Sequence, residues 1–257
     1  MKNIFKTTLF VLMLSAFFIG CSNEEMKPLY QDQVPGKVVI RCYSALKDSL
    51  QIVANGKRLE IDKQDTFTGK IVKDYEFVYY DNAVENIDVV NKTTGEKLYS
   101  YGFTTNKVND TLSFYVNDGI YIDNVLSFEP GVLIGTSVTG YKFMFPSMNR
   151  YSNSGYNGPI DGIIKKTNGQ VIGIAENITQ NSFSNFIEFG FAPPPIITVE
   201  LVKHGTTESY ITGQKVIVQL VMQNNKSRMV LLNEKANESG AFSGVEGSIN
   251  LVDYFDF

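Results

Sequence analysis

From Gly36 onward, apolar and polar residues alternate with a period of two, or apolar residues gather in short β-branched and aromatic runs. That pattern predicts strands at Val38–Tyr43, Leu50–Ala54, Phe77–Tyr80, Ile87–Asn91, Leu112–Val116, Tyr141–Phe145, Gly162–Lys165, Ile196–Val202 and Lys215–Met222. Turn residues punctuate them: Asn55-Gly56, Thr94-Gly95, Asn117-Asp118-Gly119, Asn168-Gly169 and His204-Gly205. The two Asn-Gly pairs predict tight hairpins, because both residues tolerate the left-handed backbone that such turns require. No segment sustains a helical stripe over three turns, so the chain reads as all-β.

The two halves also resemble each other. Asp48–Ile61 aligns without a gap to Asp161–Ile174, which places Asn55-Gly56 on Asn168-Gly169. Ile87–Val89 with Gly95 and Ile197–Val199 with Gly205 match at one common offset. A duplicated unit predicts two β-sandwich domains, 37–117 and 118–257, joined near Asn117–Gly119. A single larger sandwich or barrel is the alternative. The stretch DSLQIVANGKRL (48–59) resembles bacterial immunoglobulin- or transthyretin-like modules. That resemblance covers about 80 residues and implies tandem immunoglobulin-like β-sandwiches, with no implication for activity.

The N-terminus follows a different pattern. Lys2 and Lys6 precede the uncharged run Leu9–Ile19. As a helix this run reaches about 16 Å, too short for a hydrocarbon core of roughly 30 Å. It predicts a secretory signal over residues 1–20. Phe18-Ile19-Gly20-Cys21 resembles the lipobox of bacterial lipoproteins, with Phe18 where leucine is usual. The resemblance implies cleavage between Gly20 and Cys21 and acylation of Cys21, which makes the lipid bilayer a partner. Ser22–Glu25 resembles the short acidic export signal of Bacteroidota surface lipoproteins and implies an outer-membrane, lipid-anchored protein at the cell surface; a solvated acidic tether is the plainer reading. Residues 21–36 are polar, carry two prolines, and predict a flexible tether of about 20 Å reach.

Charge and composition narrow the function. Without Lys2 and Lys6 the 23 basic side chains become 21, against 27 acidic ones, and no basic cluster marks a nucleic-acid surface. Once Cys21 is lipidated, Cys42 has no partner in the chain and is expected as a buried thiol within a strand. His204, the sole histidine, lies in a predicted turn, where a catalytic triad is hard to build, and one histidine with one cysteine does not make a zinc cage. Asn117–Gly119 with Asp123-Asn124 offers oxygen ligands of the kind calcium accepts, but without EF-hand spacing; turn geometry alone accounts for that composition. No cofactor, metal or enzymatic activity is expected.

The segment Asn149–Pro159 is rich in Tyr, Asn, Ser and Gly, a composition suited to recognition loops. Tyr151, Tyr156 and Asn157 are its candidate ligand-binding residues. Asp48-Ser49-Leu50 and Asp110-Thr111-Leu112 resemble the short pattern at which Bacteroidota exported proteins are O-glycosylated. These observations lead to the expectation of a non-catalytic surface lipoprotein that binds a glycan or an outer-membrane protein. A periplasm-facing envelope-assembly protein is the alternative, and a carboxylate-based hydrolase a more distant one.

Overall fold

The structure, a computed structural model, describes residues 33–61, 63–80 and 84–257. Gly20, Cys21 and the tether up to residue 32 lie outside the described residues. The first lobe contains β1 (Gln33–Ser44), β2 (Leu50–Ala54), β3 (Lys57–Arg58), β4 (Gly69–Tyr80), β5 (Glu85–Asn91), β6 (Lys97–Phe103), β7 (Asn109–Asn117) and β8 (Ile120–Asp123). The second contains β9 (Val138–Met144), β10 (Ile160–Lys166), β11 (Val171–Ile178), β12 (Ile187–Gly190), β13 (Ile196–Lys203), β14 (Ile217–Val221), β15 (Lys226–Ala236) and β16 (Phe242–Asn250). The protein is all-β and built as two sandwiches.

The duplication extends to the whole topology. In the first lobe the sheets run β3-β2-β5-β6 and β4-β1-β7-β8; in the second they run β11-β10-β13-β14 and β12-β9-β15-β16. Adding eight to each strand number converts one pair of sheets into the other. Even the parallel pairing of β1 with β7 recurs as β9 with β15, while the remaining ladders are antiparallel in both lobes. The gapless sequence match therefore lays the β2–β3 hairpin on the β10–β11 hairpin. The two turns differ in detail. Val53–Arg58 and Ala54–Lys57 pair directly, so Asn55 (φ 44°) and Gly56 (φ 77°) form a two-residue turn with both residues left-handed. At Asn168-Gly169 only the glycine is left-handed (φ 84°), and the loop is longer, closed by the Lys166 N–H to the Gln170 carbonyl at 2.9 Å.

The alternation named no strand at β6, β8, β11, β12, β15 or β16, and two boundaries also differ from the sequence reading. Gln33–Gly36, expected in the tether, already pair with Tyr80–Phe77. The expected joint at Asn117–Gly119 is a hairpin turn inside the first lobe, because Asn117 pairs with Ile120 and β8 completes that sheet. The chain passes between lobes only after Asp123, through Asn124 (φ 47°) and a single 3-10 turn at Val125–Ser127. The Leu126 N–H docks that turn on Ser113 Oγ at 3.1 Å.

The sheets stack as four layers, with β4-β1-β7-β8 and β12-β9-β15-β16 inside. Each sandwich has its own core, built around Ile40, Leu112 and Phe114 in the first lobe and Phe143, Val199 and Leu232 in the second. A third cluster joins the facing surfaces of the two inner sheets: Tyr115, Ile120 and Ile122 meet Met144, Met229, Leu231 and Ile249. This explains why Leu112–Val116 and Met229–Glu234 are buried at every position. Even and odd residues face different cores, as in strands covered on both faces. The C-terminal segment seals the seam. Tyr254 packs against Tyr43 (ring centroids 4.4 Å apart) and Tyr115 (5.5 Å), and Asp256 meets Lys70 at 3.2 Å. The ion pair is exposed and contributes about 0–1 kcal/mol. Each large apolar side chain buried at the seam contributes about 1.5–3 kcal/mol, so packing holds the lobes together.

Candidate functional site

The tyrosine-rich loop lies between β9 and β10, and its organiser is a residue the sequence reading passed over. Glu234 shares the inward parity of Val230 and Leu232 on β15 and is only 1% exposed. Its Oε1 accepts hydrogen bonds from the Asn149 N–H (3.1 Å), Ser152 Oγ (2.6 Å) and Tyr210 hydroxyl (3.0 Å). Its Oε2 accepts from the N–H groups of Tyr151 (2.7 Å) and Ser152 (3.0 Å). Five donors thus replace the water lost on burial, which is what a buried carboxylate without a cation requires. Burial, and then the neighbouring Glu234 charge, push the Tyr210 phenol well above its ordinary range, so it stays a donor.

Asn149 continues the scaffold from a left-handed backbone (φ 68°). Its Oδ1 accepts from Ser154 Oγ at 2.5 Å, and its Nδ2 donates to the Tyr156 carbonyl at 2.7 Å and to Asn157 Oδ1 at 3.2 Å. The Tyr156 hydroxyl donates to the Pro159 carbonyl at 2.8 Å, and the Lys203 ammonium sits 5.8 Å from its ring centroid. Tyr151 is half-buried, with the Arg150 guanidinium 4.9 Å from its ring centroid. Asn157 is exposed. The loop therefore brings the three candidate residues onto one ordered segment, but commits one tyrosine hydroxyl internally.

The same loop braces the lobes. Arg150 donates to the Asp118 carbonyl at 2.8 Å, and its guanidinium lies 3.7 Å from the Asp118 carboxylate. Gly119 accommodates it: a Cβ there would stand 1.9 Å from the guanidinium, at a backbone φ of 66° that already favours glycine.

His204 borders the loop, its N–H donating to the Pro159 carbonyl at 3.1 Å. Its Nδ1 lies 2.9 Å from Asp161 Oδ1, and Asp161 also accepts from the N–H groups of Gly205 (2.9 Å) and Asn177 (3.1 Å). Burial alone would raise Asp161, but these hydrogen bonds outweigh it and lower its pKa. The hydrogen bond and charge of Asp161 raise His204, with Glu176 adding to the effect and desolvation opposing it. The raised histidine stabilises the fold fully below its unfolded value of about 6.5 and loses that contribution as pH rises through its folded value. The lowered aspartate contributes above about 3.9 and loses that as pH falls. The pair is therefore strongest between about pH 4 and 6.5. An NMR titration is expected to place His204 above 6.5, and Asp161→Asn to return it toward that value; an unshifted histidine in the native chain contradicts the pairing.

The other residues singled out by sequence are dispersed. Cys42 is buried, and burial pushes its thiol well above the ordinary range. The turn acids diverge, Asp118 toward Arg150 and Asp123 toward the Tyr99 hydroxyl at 2.9 Å. Thr111 of the second glycosylation-like triplet is exposed, with Leu112 beneath it in the core. Among the described residues, no cluster of three or more His, Cys, Asp or Glu is placed to hold a metal ion.

The class these features define is a tandem β-sandwich protein whose 149–159 loop is ordered around a buried glutamate. Comparison with protein-family models finds no match, and comparison with curated proteins finds no significant one.

Proposed function

We propose that the chain is exported, anchored to the outer membrane through acylated Cys21, and serves as a non-catalytic binding module at the cell surface. The observation that carries the binding reading is the Glu234-centred order of the 149–159 loop. Asn149, Tyr151 and Ser152 hold it in one conformation before any ligand arrives, and such preorganisation removes part of the entropic cost of association. Its position supports the same reading. The tether enters at Gln33, and β1 spans twelve residues, about 40 Å at ~3.3 Å per residue. Because β7 runs parallel to β1, the Asn117–Gly119 turn that Arg150 touches stands at the end remote from the tether.

The buried carboxylates support a binding role over hydrolysis. Glu234 and Asp161 are engaged by backbone N–H groups, and Glu85 by Asn55 Nδ2 and by the Tyr75 hydroxyl at 2.8 Å. In the producing bacterium, Cys21→Ser is expected to abolish acyl labelling and release the protein from the membrane fraction. Protease added to intact cells is expected to degrade the native protein. Survival of the whole chain there would replace this reading with a periplasm-facing envelope role. Capture of native partners and a glycan array, each repeated with Tyr151→Ala and Asn157→Ala, test the loop; ligands retained by both variants exclude it.

A further inference from the structure

We propose a second binding site, independent of the 149–159 loop and of membrane anchoring: a cleft on the first inner sheet that takes a carboxylated sugar, with Arg41 as its anion anchor. Alternation along β1 points Val39, Arg41 and Tyr43 away from the first core, and the neighbouring residues Thr111 and Ser113 of β7 do the same. The second lobe covers this face at Tyr43 and Tyr115 but leaves the stretch before them open. The 3-10 turn of the connector forms one wall of an open cleft there, which measures about 510 Å³. That lies within the range of small-ligand sites, roughly 300–1,000 Å³.

The chemistry of the lining is specific. Arg58 pairs with Asp65, Arg150 with Asp118, and Arg228 with the Val221 carbonyl, whereas Arg41 alone among the arginines has no partner among the described residues. Its strand neighbours, Val72 on β4 and Ser113 on β7, carry no charge. The nearby carboxylates are already engaged: Asp110, in the lining itself, by Lys107 at 2.5 Å and the Thr111 N–H at 2.7 Å, Asp74 by Lys37 at 2.5 Å, and Asp256, on the other flank of Arg41, by Lys70 at 3.2 Å. The side chains of Asn109, Thr111 and Asn124 also line the cleft without a hydrogen-bond partner among the described residues.

One planar guanidinium suits one carboxylate, which it grips with two parallel hydrogen bonds. Two amides and a hydroxyl beside it suit the hydroxyl groups of a sugar ring. Val39 and Leu126 supply a small apolar surface for the ring's C–H face. A peptide would also call for apolar side-chain pockets, and Val39 and Leu126 are the only apolar residues lining the cleft. The ligand class is therefore a uronic acid or a short uronate-bearing oligosaccharide.

Titration of the full chain with trigalacturonate, followed by calorimetry and amide NMR, tests this. Binding is expected to shift the Asn109, Thr111 and Asn124 signals, with neutral galactotriose leaving them unmoved. Arg41→Gln is expected to weaken trigalacturonate binding at least about tenfold, since a charged hydrogen bond is worth roughly 1.5–3 kcal/mol. Arg41→Lys should fall between, keeping charge without the fork. Because Arg41 is exposed, an unchanged unfolding midpoint confirms that the variants remain folded. Glu246→Gln, at an exposed ion pair outside either site, should bind trigalacturonate normally. The proposal fails if no uronate binds, if galactotriose binds as tightly, if acetate competes on equal terms with uronate, or if Arg41→Gln binds undiminished.

Discussion

Glu234→Gln is expected to destabilise the protein by about 3 kcal/mol, lowering the unfolding midpoint by roughly 6–12 °C for a chain of this size. Glutamine preserves the volume, so packing is not at issue. The carboxylate meets five donors and needs none, whereas an amide must turn its NH2 toward one side of the ring of donors. On one side stand the N–H groups of Tyr151 and Ser152; on the other stand the Asn149 N–H and two hydroxyls, which are able to rotate. Even the better orientation leaves the Asn149 N–H facing a donor and replaces charge-assisted hydrogen bonds with weaker neutral ones. Hydrogen exchange should localise the loss to amides 149–152, and the ordered loop should become mobile. Glu246→Gln provides the control. That side chain is 38% exposed and, among the described residues, paired only with Lys235, so its replacement should change stability by no more than about 0.5 kcal/mol. Equal effects at the two glutamates would remove Glu234 from its organising place.

The second large effect comes from two adjacent residues. Leu231→Asp is expected to part the lobes while leaving each sandwich folded. Val230→Asp is expected to unfold the second lobe. Both residues are fully buried, but Val230 faces the core shared with Phe143 and Leu232, whereas Leu231 faces the seam with Tyr115 and Ile122. A carboxylate at the seam regains water when the lobes separate; one in the sandwich core regains it only by unfolding that core. Calorimetry should therefore resolve two transitions in Leu231→Asp, and small-angle scattering should show a larger radius of gyration with β-structure retained. In Val230→Asp, second-lobe amides such as Val199 should lose protection while Ile40 and Leu112 keep theirs. Identical behaviour of the two variants would mean that the four layers form one cooperative core.

This contrast also shows why the domain limits were not legible at 117 and 118. The run Leu112–Val116 announces a strand, yet continuous burial cannot say which residues face which partner. Asn117-Asp118-Gly119 carries turn chemistry whether the turn joins two strands of one sheet or two lobes. Only the pairing of Asn117 with Ile120 decided for the former.

Local chemistry was written in the chain itself: β1, β2, β4, β5, β7, β9, β10, β13 and β14 were announced by alternation or short apolar runs, the hairpins by Asn-Gly, and the doubled unit by the match of Asp48–Ile61 to Asp161–Ile174, whereas β6, β8, β11, β12, β15 and β16 were not. The features so announced depend on near neighbours along the chain, so the sequence by itself determined them. What required the tertiary structure is whatever joins distant segments. Glu234 meets donors from residues 149–152 and 210, more than twenty residues away in sequence, so a glutamate in an apolar strand does not disclose its partners. Arg41 is one more outward residue on β1 until the connector and the uncovered face of its sheet form a cleft around it. Burial and hydrogen-bond satisfaction are properties of three-dimensional surroundings, and here those surroundings come from both lobes and the segment between them.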